Sequence, residues 1–192
     1  VAVFGVTFIF FGTFGSAIPA VRDARDGWLD TVLRTGYGPG RWVVERTMAG
    51  AAIDLVQLAP SLFLLLITAG GAGRSGAVLA ALAGALVFAN LLGLAIAAAV
   101  RSLAEAALAC AAVSLLLLHF AGFFRPPAPG WTSAAALWNA YSPLRSTLAG
   151  ALGGTHGSGG EAVAAGAVIA LSAALAVGLA ARWTGRFRWP VR

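Results

Sequence analysis

The chain has 192 residues, 59% of them hydrophobic and only 10% charged, with a net charge of +6. Soluble domains carry about 25% charged residues, and folded surfaces need polar cover, so this composition excludes a water-soluble globular fold. All thirteen basic residues are Arg, and they are spread over the connections and the C-terminal tail rather than gathered with aromatics on one helix or groove, which excludes a nucleic-acid binder.

Five apolar runs organise the sequence, at about 1–21, 48–69, 76–100, 106–124 and 162–181. Each is close to the ~20 residues a helix needs to cross ~30 Å of hydrocarbon. The expected fold is therefore an all-α polytopic membrane protein, one transmembrane domain over 1–192. The first run opens on Val1, without a basic leader or a small-residue cleavage site, so it reads as a span rather than a signal peptide and suggests a segment upstream.

A cytoplasmic segment, 22–47, follows it. From Arg22 to Thr35 the pattern reads as an amphipathic helix whose stripe is Trp28, Leu29, Val32 and Leu33. The glycines and Pro39 of 36–40 end that helix, and another is expected to start near Arg41 and run into the membrane. Asp23, Arg25, Asp26, Asp30 and Arg34 give the polar face mixed charge, which suits docking against a protein better than attachment to anionic lipid.

Asp54 lies six residues into the second run, about 9 Å along a helix axis. A carboxylate there is a functional candidate by default, with Arg46 or Arg101 as the expected partner. In the third run Asn90 is placed for an interhelical hydrogen bond. Glu105 and Glu161 stand at the starts of runs, where negative charge complements a helix N-terminus. Cys110, alone of its kind, reads as a small buried hydrophobe. His119 and His156 lack ligand companions, so no metal site is expected.

Between the fourth and fifth runs lies an outer segment, 125–160. Pro126, Pro127 and Pro129 stop the preceding helix. Two short apolar helices split at Ser142 and Pro143 should then pack on the bundle without crossing it, before the glycine-rich 153–160. Ten arginines fall on the side of 22–47, Arg101 and the C-terminal tail, against Arg74, Arg125 and Arg145 on the other. The ten face the cytoplasm by the positive-inside rule, which puts the C-terminus inside. Trp42, Trp131, Trp138, Trp183 and Trp189 stand at predicted borders, as interfacial anchors do. GAGRSG at 71–76 lacks the GK[ST] ending of a phosphate loop, and no catalytic constellation is present.

The order of these pieces resembles the permease subunits of bacterial type-2 ATP-binding-cassette transporters. The resemblance rests on Arg25-Asp26-Gly27-Trp28-Leu29-Asp30 with Val32-Leu33-Arg34-Thr35, on Ser102-Leu103-Ala104-Glu105-Ala106-Ala107, and on Gly122-Phe123-Phe124-Arg125-Pro126, Pro129-Gly130-Trp131 and Tyr141-Ser142-Pro143-Leu144. Trp28 and Gly36 depart from the Thr and Pro common at their places in that family. The resemblance implies six spans, of which five are in this sequence. It implies an efflux permease of the bacterial plasma (inner) membrane, with a small amphipathic or lipid-like cargo. The permease would be a dimer with an identical or different half, coupled to a separate ATPase subunit that holds the ATP and Mg, so that this chain binds no cofactor and is not itself an enzyme. Asp26, Gly27, Trp28, Leu29, Asp30 and Leu33 would form the coupling contact. The alternative is a secondary transporter driven by an ion gradient, for which Asp54 would be the ionisable group.

Overall fold

The computed structural model of the protein describes residues 2–68, 75–126, 130, 131, 136, 138–152 and 161–186. Among them it is all-helical, with α1 (Ala2–Arg25), α2 (Trp28–Arg34), α3 (Pro39–Thr68), α4 (Ser75–Ala99), α5 (Leu103–Phe120), α6 (Ser142–Ala151) and α7 (Glu161–Arg186). The connection holding Arg74, most of the first outer helix (132–135 and 137) with Pro127 and Pro129 before it, the loop with His156, and the tail with Arg188, Trp189 and Arg192 lie outside the described residues.

Helix α4 is the centre of the bundle. Val78, Leu82, Leu86, Leu94 and Ala97 are buried around it, as expected of a helix that is apolar on every face. It packs against α1, α3, α6 and α7, and α5 packs mainly on α1 while also touching α4. The α1–α4 seam is built from small residues. A Cβ on Gly93 would run into the Thr13 carbonyl oxygen and lie 3.1 Å from the Ala17 nitrogen, and one on Gly12 would lie 3.0 Å from Ala89 Cβ. Close backbone approach of this kind is how helices associate where lipid removes the hydrophobic drive between them.

Outward faces are apolar too. Val56 on α3, Leu108 on α5 and Val177 on α7 are each more than 70% exposed. Such surfaces belong in hydrocarbon, and α3, α4 and α5 are long and apolar enough to cross it.

Two helix ends differ from the sequence expectation. The amphipathic helix expected over 22–35 is divided: α1 continues through Arg25, Gly27 turns with φ +72°, and α2 is only the seven residues Trp28–Arg34. Glycine adopts that left-handed conformation at no steric cost, so the break falls there. Helix α5 stops at Phe120, four residues before the expected 124. Gly122, at φ +80°, lets the Phe123 N–H reach the Leu118 carbonyl while its own N–H reaches His119. Leu118 and Phe123 are both buried in one cluster, completing a Schellman end before the prolines begin. At its start Ser102 accepts from the Glu105 N–H at 3.2 Å, and the Glu105 carboxylate accepts from the Arg101 N–H at 2.9 Å, a variant of the capping box.

Trp42 is the third difference. It is 5% exposed, in the cluster of Val21, Leu29, Val43 and Leu94, so it is a core residue and not an interfacial anchor. Trp131 and Trp138 are exposed as anchors should be. Cys110 is fully buried beside Ala17 and Ile96.

Helix α3 begins with Pro39, whose fixed φ suits a first turn. Before its apolar part, Glu45 accepts from the Tyr37 hydroxyl and pairs with Arg41 at 2.6 Å, and the Arg41 guanidinium sits 5.1 Å from the Tyr37 ring centre. The Tyr37 bond first, then Arg41, holds the Glu45 carboxyl below the ordinary glutamate range. A value lower folded than unfolded means that this cluster supports the fold above the unfolded value and stops doing so as pH falls through the folded one. A carbon-detected NMR titration in micelles should give Glu45 a midpoint below that of free glutamate, moving up in Tyr37→Phe. An unchanged midpoint in that variant would remove the hydroxyl from the account.

Candidate functional site

The sequence singles out Asp54 and Asn90 separately, and the fold brings them together. The Asn90 amide on α4 donates to Asp54 Oδ2 on α3 at 2.9 Å and to the Leu86 carbonyl, one turn back on its own helix, at 2.9 Å. Both partners are acceptors, which fixes the NH₂ end of the amide on that side. The remaining Oδ1 therefore points at α1, where it accepts from the Ser16 hydroxyl. Three helices are tied at one residue that is 1% exposed. Gly50 makes the approach possible, since a Cβ there would occupy the space of Asn90 Oδ1.

Asp54 is thus not paired with an arginine. Arg46 pairs with Asp23 at 3.6 Å, tying α3 to the end of α1. Eight residues along α3 put its Cα about 12 Å from that of Asp54 along the axis, beyond comfortable reach. Arg101 lies past the end of α4, and its backbone N–H is taken by Glu105. Beside Asp54 a cleft of about 350 Å³ opens between α1 and α3, with Phe11, Gly15, Ser16, Ile53, Gln57 and Arg46 among its walls. A second buried link, Ser114 to Thr13 at 3.4 Å, joins α5 to α1. Sequence reasoning passed over Ser16, Thr13 and Ser114, because a hydroxyl barely lowers the hydropathy of an apolar run.

At the end of the bundle where α2 lies, the expected coupling residues divide into two faces. Leu29 is 1% exposed within the core cluster of Val21, Trp42 and Leu94, and Leu33 packs half-buried against it. Trp28 is 52% exposed, and Asp26, Asp30, Thr31 and Arg34 are exposed beside it. The leucines therefore hold the helix down, and the outward face is aromatic and charged. Thr31 closes the first turn on the Gly27 carbonyl at 3.1 Å, and Thr35 closes the last on Val32 at 2.6 Å.

Elsewhere the ends of helices are tied by side chains. Arg182 on α7 donates to the Ala98 carbonyl at the end of α4, at 3.2 Å. Asn139 donates to the Leu117 carbonyl on α5 at 2.7 Å and accepts from the Tyr141 N–H at 3.0 Å. That second bond is an Asx turn, the signal by which an Asn two residues before Tyr141 could have been noticed. It delivers the chain to α6, whose Leu144, Leu148 and Ala151 face the core. Among the described residues no group of three His, Cys, Asp or Glu side chains could hold a metal.

A family model described as ABC-2 type transporter matches residues 1–153, from α1 through α6 and the two residues after it. No curated protein and no solved structure matches the chain.

Proposed function

Because the chain belongs to the ABC-2 type transporter family, and is thus a multi-pass membrane permease, we propose that it is the membrane half of an ATP-driven exporter coupled through α2 to a separate ATPase subunit. In this reading α1, α3, α4, α5 and α7 are five spans in a bacterial inner membrane, the arginine-rich side and the C-terminus are cytoplasmic, and a second permease half completes the transporter. The cargo is small and amphipathic or lipid-like. ATP and Mg act on the partner, and this chain supplies the path and the docking helix. Membership sets this reading above transport by an ion gradient, although Asp54 is the group such a transporter would use.

The observation that supports it is the shape of α2. Between two left-handed glycines, Gly27 and Gly36, the seven-residue helix and Thr35 form a short block pinned to the bundle by Leu29. Its outer face combines a half-exposed indole with Asp26, Asp30 and Arg34. Aromatic anchors ringed by charge carry most of the affinity at protein interfaces, often about 2 kcal/mol each, roughly thirty-fold in Kd.

The test is copurification of the ATPase with the full-length protein in mild detergent. Trp28→Ala combined with Asp30→Arg should weaken ATPase binding at least about thirty-fold and abolish its stimulation, while the permease elutes as before. Undiminished copurification with that variant would take the docking role away from α2.

A further inference from the structure

We propose that the cleft between α1 and α3 binds a protonated amine carried on an apolar body, with the Asp54 carboxylate as its counter-ion. The inference rests on the permease reading only in taking that amine as cargo.

The carboxylate is half used. Oδ2 accepts from Asn90, whereas Oδ1 accepts no hydrogen bond from any described residue. Gly15 stands in front of it: even a Cβ built there would lie 3.9 Å from Oδ1, and glycine leaves that space empty. The bound partner is a neutral amide, so it orients the carboxylate without cancelling its charge. The nearest candidate cation, Arg46, is held by Asp23. An intramembrane carboxylate in this condition is short of one cation.

The walls select among cations. Calcium or magnesium needs six or more oxygen ligands, and the cleft offers one carboxylate and Gln57, with the serine and the other amide already bonded to each other. Phe11 and Ile53, both more than half exposed, give the opening an apolar wall. About 350 Å³ accommodates an ammonium group and the first ring or alkyl segment attached to it. Arg46 also lines the cleft, but its charge is offset by Asp23, which leaves Asp54 as the unbalanced charge there. Anionic cargo meets the carboxylate instead. A membrane ethanolamine headgroup and a free amphipathic amine share this chemistry.

Dansylcadaverine, a primary amine on an aromatic body, and its neutral N-acetyl derivative separate the contributions. Binding is read by dansyl fluorescence on the full-length protein in maltoside micelles, with ATPase copurification scored on the same preparations. The amine should bind about tenfold or more tightly than the acetylated probe. Asp54→Asn should level the two and Asp54→Glu should keep the preference. Gly15→Leu fills the cleft in front of the carboxylate while keeping its charge, and should weaken both probes tenfold or more even if Asp54→Asn fails to fold. Added phosphatidylethanolamine that displaces the amine identifies the headgroup as the occupant, and an amine it leaves bound identifies the free amphipath. Equal affinity of the two probes for the wild type, a preference that survives in Asp54→Asn, or amine binding unaffected by Gly15→Leu would overturn the proposal. In the wild type, absence of the preference beside an intact ATPase complex sinks the amine site alone, and amine preference without any ATPase sinks the permease reading alone.

Discussion

Leu29→Asp should undock α2 from the bundle. Leu29 is among the largest fully buried side chains, closed in by Val21, Trp42, Val43 and Leu94. Removing a buried leucine costs about 2–5 kcal/mol, and an uncompensated carboxylate in its place costs several more. A seven-residue helix has no independent stability to oppose that. The undocked population should rise about 10³-fold or more, for a loss of about 4 kcal/mol at the least. Limited trypsin digestion reads this directly, since Arg25 and Arg34 bracket the helix. Cleavage at both should accelerate in Leu29→Asp and stay at the wild-type rate in Asp30→Asn, which alters only the exposed face. Equal protection in the two variants would mean that Leu29 does not pin the helix. If α2 docks an ATPase as proposed, replacing Leu29 and Leu33 together by Asp would uncouple the two by dislodging α2, whatever those leucines touch on the partner.

Gly93→Val should prevent the bundle from closing. The new Cβ would enter the space of the Thr13 carbonyl oxygen and press on Ala17 N and Ser16 Cβ at 3.1 Å. Two of those three atoms are backbone, so α1 itself must move, and forced overpacking costs about 1–3 kcal/mol or more. Displacing α1 also breaks the bond from Ser16 to Asn90, one turn away on the same seam. The monodisperse gel-filtration peak should be lost for Gly93→Val and kept for Gly84→Ala on the same helix, whose Cβ would meet only Val168 Cγ1 at 3.8 Å. A normal peak for Gly93→Val would show that the helices are less tightly joined than their spacing here.

The spans were legible because hydropathy over twenty residues is insensitive to detail, and a shift of three or four residues at either end leaves the reading unchanged. Phase was another matter. A helix counted from Arg22 puts Trp28 and Leu29 on one stripe, whereas the break at Gly27 resets the count, burying Leu29 and turning Trp28 outward. Asp54 and Asn90 each stood out as polar groups in apolar runs, but nothing local could pair residues 36 positions apart. The expected arginine partner failed on length along the helix. Trp42 misled because an indole is as much at home in a core as at an interface, and only packing decides.

The seam between α1 and α4 has a mechanical corollary. With Gly93 against the α1 backbone and Gly12 against the Ala89 methyl, neither helix can slide or tilt past the other without collision. The two behave as a single girder. Whatever opening and closing the bundle performs must be hinged elsewhere, and α3 joins that girder partly through one amide and one carboxylate beside an open cleft. A polar latch of that kind can let go and re-form; a steric weld cannot.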